Sequence, residues 1–368
     1  MNNQFGHSLF YWHFEVSSKC SLQCPRCPRT EKMGKYKITE LSLDFFKKNF
    51  TEDFIRKEMD KVLFCGGQGD PIYCKEFLEI VSYFKTAKPE ISVFIVTNGS
   101  YKTKKWWTDL NSILNEYDSI TFSIDGWDDK SNNEYRVNSD FASILTAIEV
   151  MTTGKAVTRW STILFKFNQE KIEHIENMAK SLGVNYFDLT FSMLFGSNNS
   201  TWIDPGLGYD PLEPDEHYVS HYGRHTRYYK ELNFKELKIS DALKEKSEYY
   251  HNIWLERSKD LQVLPLCMTN NRGKYVDAEG IMYPCSWVSH PFGERRSKFR
   301  DKVVYWKDSM WVANKSKFDL NLRSLEEVLN DETIWKPLID GWQSEKKCFV
   351  ECEQKCRYKE DYARKQIS

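Results

Sequence analysis

The sequence predicts an α/β fold followed by a small, cysteine-rich C-terminal domain. Three observations lead there. Between residues 10 and 191, six strand-like runs alternate with helix-like ones. Residues 193–216 are rich in Gly, Asn, Ser, Asp and Pro. Residues 263–368 then hold five of the ten cysteines, with little regular periodicity. Strands and helices in alternation imply a parallel sheet with right-handed crossovers.

The first run, residues 10–16, is aromatic and alternating, which suits a strand. Residues 61–65, 91–96, 119–124, 157–165 and 186–191 supply five more. Between them, Phe77, Ile80, Val81 and Phe84 fall at i, i+3, i+4 and i+7, a one-sided helical stripe. Trp106, Leu110, Ile113 and Leu114 follow nearly the same spacing, as do Phe141, Ile144, Leu145 and Ile148. An open doubly wound sheet and a partial TIM-like barrel both fit this pattern. Residues 217–262 read as helical and highly charged. The chain divides into a core over 1–195, a loop and helical linker over 196–262, and a cysteine-rich domain over 263–368.

The 368 residues carry 52 basic and 53 acidic side chains, a net charge of −1. Nothing in that balance favours nucleic acid or a membrane surface as a partner. Residues 1–10 lack the apolar core of a signal peptide, and no stretch approaches the roughly 18 apolar residues of a membrane span. Ten cysteines without a secretory signal point to a reducing, cytoplasmic setting and to metal ligation rather than disulfides. The 15% aromatic content suits an aromatic core.

Cys20, Cys24 and Cys27 follow the first strand at the spacing C-x3-C-x2-C. Three thiolates on one short loop can hold three irons of a 4Fe–4S cluster and leave the fourth open to a ligand. Structural zinc wants four closed ligands, and only three are local. In α/β barrels the chemistry collects on loops at the carboxyl ends of strands, where this loop would sit. Gly66, Gly67, Gln68, Gly69, Asp70 and Pro71 follow the second strand. Such a turn lets backbone approach a ligand and expose its N–H and C=O groups. Thr97-Asn98-Gly99 follows the third strand, and Ser123-Ile124-Asp125-Gly126 ends the fourth, with Ser123 and Asp125 expected on one face.

The Cys20/Cys24/Cys27 run resembles the signature of the radical SAM superfamily, and the later motifs come in the order that family uses. The resemblance implies a partial (β/α)6 TIM-like barrel, a 4Fe–4S cluster on the three cysteines, and S-adenosylmethionine (SAM) on the open iron. It implies that Gly66 to Pro71 hold the amino group of SAM's methionine moiety. Asn98, Ser123 and Asp125 resemble positions near SAM, and Arg136 resembles an arginine that pairs with the SAM carboxylate. One departure stands at Arg26, where many members have an aromatic residue before the third cysteine.

Cys267, Gly280 and Cys285 read C-x12-G-x4-C around a hairpin-like segment, followed by Cys348, Cys352 and Cys356. The first part resembles the opening of SPASM and twitch domains, which carry auxiliary 4Fe–4S clusters. Five cysteines suffice for one four-cysteine cluster with one to spare, so the shorter, twitch-like form is expected. Cys267, Cys285 and Cys348 are taken as ligands with Cys352 as fourth, although spacing does not settle which of the last three is spare. The same four thiolates would also suit zinc.

Two further groups are read on their own. Cys65 and Cys74 are read as buried structural cysteines. His217, His221 and His225 would share one helix face, where a metal or substrate role is open, although Gly223 would weaken that helix.

The resemblance implies reductive cleavage of SAM to a 5′-deoxyadenosyl radical, which abstracts hydrogen from a peptide or small-molecule substrate. A reductant such as flavodoxin or ferredoxin supplies the electron, and the auxiliary cluster is expected to accept one. Sulfatase-maturing relatives often carry an acidic residue after the second auxiliary-domain cysteine; Ser286 here argues against that activity. The chain begins almost at its first strand, so no separate peptide-docking domain is expected there. The alternative reading is a non-catalytic zinc or iron–sulfur module serving in interaction.

Overall fold

The structure, a computed structural model, describes residues 3–31, 37–192, 210–222, 228–261, 263–269, 273–289, 315–343, 348–349, 352 and 356. Six parallel strands follow one another in chain order: β1 (Tyr11–Phe14), β2 (Lys61–Phe64), β3 (Ser92–Thr97), β4 (Ser119–Ser123), β5 (Val157–Ile163) and β6 (Tyr186–Thr190). Each pairs with the next, with Leu63 opposite His13 and Phe94 opposite Leu63. A doubly wound sheet reverses direction at a switch point. This one does not, so the partial barrel is the fold, and it is not closed.

Both edges of the six-stranded row are extended. β7 (Tyr228–Glu231) runs antiparallel to β6. β8 (Lys274–Val276) runs parallel to β1, and β9 (Met282–Tyr283) returns antiparallel beside it. The expected C-terminal hairpin is therefore present, and it continues the barrel sheet across the edge of β1. Asp277 builds its turn by accepting the N–H groups of Glu279 and Ile281, each at 3.0 Å. Gly280 sits at φ +84°, a conformation glycine adopts without steric cost.

Burial of alternate residues explains β1. Trp12 and Phe14 pack outward on the helices, while Tyr11 and His13 face the inside of the curved sheet. The Phe14 ring lies 4.9 Å from Phe50, 5.1 Å from Phe46 and 5.9 Å from Phe84, mostly edge-on, and this is the aromatic core. The helix Phe77–Ala87 buries Phe77, Ile80, Val81 and Phe84 completely. The helix Lys104–Ile113 differs in phase from the expected stripe. Thr103 caps it by accepting from the Trp106 N–H, and this start turns Trp107, not Trp106, into the core. Trp106 instead stacks on Phe77 at 6.2 Å. The helix Phe141–Thr152 buries Phe141, Ile144 and Ile148 as expected. Among the described residues no helix is long and apolar enough to cross a membrane.

Candidate functional site

The carboxyl ends of the parallel strands all deliver loops to one side, and the predicted residues gather there. A cleft of about 140 Å³ is lined by Cys20, Cys24 and Cys27 from the β1 loop, Gly66 to Asp70 from the β2 loop, Asn98 after β3, Ser123 at the end of β4, and Arg136. Residues separated by more than a hundred positions meet because the strands are parallel and in register.

Short-range packing fixes the cysteine loop against the glycine loop. A Cβ on Gly69 would lie 2.0 Å from the Ser17 carbonyl oxygen, so only glycine allows this approach. The Asp70 N–H donates to the Lys19 carbonyl at 2.9 Å. The Asp70 side chain is spent on structure: it accepts the Thr97 hydroxyl at 2.8 Å, and the Asn98 N–H and amide at 2.6 and 2.7 Å. Burial pushes its carboxyl up to about 6, against these bonds. Pro71 opens a short 3-10 turn and is buried below the cleft. The Asn98 amide also points at Cys20, with Nδ2 3.6 Å from Sγ.

Sequence reasoning missed Glu15, which is buried at the end of β1. Its Oε1 accepts the N–H groups of Gln68 at 2.5 Å and Gly69 at 2.9 Å, and its Oε2 accepts the Tyr275 hydroxyl. Burial raises its pKa, and these donors pull the other way. A charged residue at an alternate position of an aromatic strand was the available signal. Arg29, another cleft residue, donates to the Leu22 carbonyl at 3.3 Å.

Ser123 lines the cleft, but Asp125 does not. The β4 ladder ends at Ser123, and Asp125 turns inward, fully buried, to accept Arg136 Nε at 2.6 Å and the Ile163 N–H at 2.7 Å. Asp125 thus holds the Arg136 guanidinium at the cleft wall. Burial raises the Asp125 pKa against the pull of Arg136, and the guanidinium stays charged.

Leu22, Tyr135 and Phe165 form an apolar shell around Cys24, with Leu212 and Phe167 at its rim. Arg26 makes a two-pronged pair with Asp210, at 2.5 and 3.1 Å, which ties residues 210–212 over the cysteine loop. Burial lifts the Cys20 thiol to about 12, with Asp70 adding to it. Burial lifts Cys24 to about 11, with Arg136 opposing. Three thiols around one cleft with a dry shell and an amide donor to sulfur suit a 4Fe–4S cluster, which takes each thiolate to a different iron. Among the described residues, no three His, Cys, Asp or Glu side chains converge to hold one metal ion.

Cys65 also lines the cleft rather than serving only in the core, whereas Cys74 is buried and donates to the Leu41 carbonyl. His217 and His221 are exposed on the helix Glu216–Tyr222; His225 lies outside the described residues.

A second thiol cluster lies beside the hairpin. Cys267, Cys285, Cys352 and Cys356 line one cavity of about 10 Å³ with Leu266, Pro284, Val288, Leu338 and Trp342. Cys348 is buried nearby and does not line it. Burial lifts Cys267 to about 12, and burial together with the neighbouring thiols lifts Cys352 and Cys356 well above the ordinary range. Four cysteines thus line one small apolar cavity.

The family model of the radical SAM superfamily matches residues 14–182. No curated protein sequence matches the chain. Two solved structures are similar in fold: a crystal structure of Streptococcus suis SuiB, with TM-score 0.54 and 14% identity, and one of the same protein bound to S-adenosylmethionine, with TM-score 0.51 and 13% identity. The matches cover 91% and 92% of this chain and 68% and 66% of those chains, so this chain spans about two thirds of their length.

Proposed function

We propose that this chain, whose residues 14–182 match the radical SAM superfamily model, is a member of that superfamily, an enzyme that cleaves SAM reductively and uses the resulting radical on a peptide or small-molecule substrate. The observation that carries the reading is the single cleft shared by Cys20, Cys24, Cys27, the Gly66 to Asp70 loop and Arg136. When bound there, the cluster and SAM supply one-electron cleavage to methionine and a 5′-deoxyadenosyl radical, with the electron coming from an external reductant.

The chain's own residues bind and orient. The three thiols hold the cluster once deprotonated, which metal binding itself drives. The carbonyl groups of the half-buried Gly66 to Gly69 loop and the Asn98 amide receive the polar end of SAM, and the Arg136 charge, fixed by Asp125, meets a carboxylate. Ser123 offers a hydroxyl to a ribose. Leu22, Tyr135 and Phe165 exclude water from the sulfurs. Cys267, Cys285, Cys352 and Cys356 would hold an auxiliary 4Fe–4S cluster, which would supply an electron acceptor.

The deciding experiment is anaerobic. Reconstituted protein with SAM and dithionite should release 5′-deoxyadenosine, and Cys24→Ala should abolish it. Persistent product in that variant would remove these cysteines from the reaction. A colourless protein that carries zinc in place of iron would favour an interaction module instead.

A further inference from the structure

Lys274 on β8 is fully buried. Its ammonium donates to the Cys267 carbonyl at 3.2 Å, lies 3.9 Å from Met268 Sδ and sits 5.6 Å from the centre of the Trp335 ring. Among the described residues, no Asp or Glu forms an ion pair with it; burial lowers its pKa, and the neighbouring Cys267 and Cys285 sulfurs pull the other way. Its other titratable neighbour is buried His7, which it disfavours as a cation. The other buried lysines of the barrel, Lys85 and Lys88, are each paired with an aspartate, Asp118 and Asp60. Burying an ammonium without an anion is costly, and a native fold compensates such a charge.

We propose that Lys274 is the built-in counter-charge of the auxiliary cluster, and that it holds the cluster's reduction potential up. The inference rests on the auxiliary-cluster reading above. Four thiolates around an iron–sulfur core carry net negative charge, and reduction adds one more. A cation hydrogen-bonded to the backbone of one ligand, Cys267, favours the reduced form, and the apolar walls of the cavity leave that charge poorly screened. Without the cluster, no carboxylate among the described residues pairs with the ammonium. The same residue therefore burdens the empty protein and stabilises the loaded one.

The test uses the full chain in a Cys24→Ala background, so that only the auxiliary cluster remains. Lys274→Met keeps most of the length of the side chain without the charge. Its midpoint potential, followed by electron paramagnetic resonance, should move to a more negative value, while Lys274→Arg stays near the parent. Cluster-free Lys274→Met should melt at a higher temperature than its cluster-free parent. A folded Lys274→Met protein that cannot load iron also supports the role. An unmoved potential with iron retained overturns it. A parent that loads no iron at all sinks the auxiliary-cluster reading itself, an outcome separable from the failure of Lys274.

Discussion

Glu15 and Tyr275 meet across the junction of β1 and β8, where the tyrosine hydroxyl donates to a carboxylate that also holds the glycine loop. The contact joins residues 260 positions apart. Through it, the hairpin leading to Cys285 and the loop facing Cys20 share one buried carboxyl group. Glu15→Ala leaves the Gln68 and Gly69 N–H groups without their acceptor, each worth about 1–3 kcal/mol when unsatisfied. SAM should bind at least about tenfold more weakly, or ~1.4 kcal/mol. Anaerobic calorimetry reads this directly, and an unchanged Kd would remove Glu15 from loop positioning.

Asp125 and Arg136 form a buried pair, and removing one partner strands the other. Asp125→Ala should cost about 3–5 kcal/mol of stability. The double change Asp125→Ala with Arg136→Met should cost less than the sum of the single changes, because neither charge is then left alone. Denaturant unfolding of the four cluster-free proteins measures the coupling; strict additivity would argue against a coupled pair.

The auxiliary cavity distinguishes the last three cysteines. Cys356→Ser should lower bound iron by about four atoms per chain, whereas Cys348→Ser should leave it near the parental level. Iron and sulfide assays on anaerobically reconstituted variants decide it. The reverse pattern would return Cys348 to the ligand set.

Asp277 carries a pH signature. Burial pushes its carboxyl up to about 7, so the folded chain holds a proton there that the unfolded chain has already released. Its stabilising contribution is therefore present below the ordinary carboxylate range and is lost as pH rises through about 7. Asp277→Asn should flatten the fall in melting temperature of the cluster-free protein between about pH 5 and about pH 8. An unaltered slope would assign the pH dependence to other groups.

Much of the site was legible in the sequence because its chemistry is local. The cysteine spacing puts three thiols on one loop, and the glycine run marks a close approach, since each depends on neighbours a few positions away. The stripe Phe77, Ile80, Val81 and Phe84 was equally readable, because a helix face is set by its own period. The phase of Trp106 and Trp107 was less readable, as it depends on the Thr103 cap.

The residues alone determined a strand–helix alternation, the Cys20/Cys24/Cys27 loop and a hairpin around Gly280. Tertiary structure decided what no local pattern contains. It ordered the strands in one direction, set β8 beside β1, turned Asp125 away from the cleft to hold Arg136, and brought Cys356 to the wall of the second cavity. The physical reason is that register, burial and charge pairing are properties of contacts between distant segments. A carboxylate such as Asp125 or Glu15 becomes a ligand contact or a brace only when the fold decides which donors reach it.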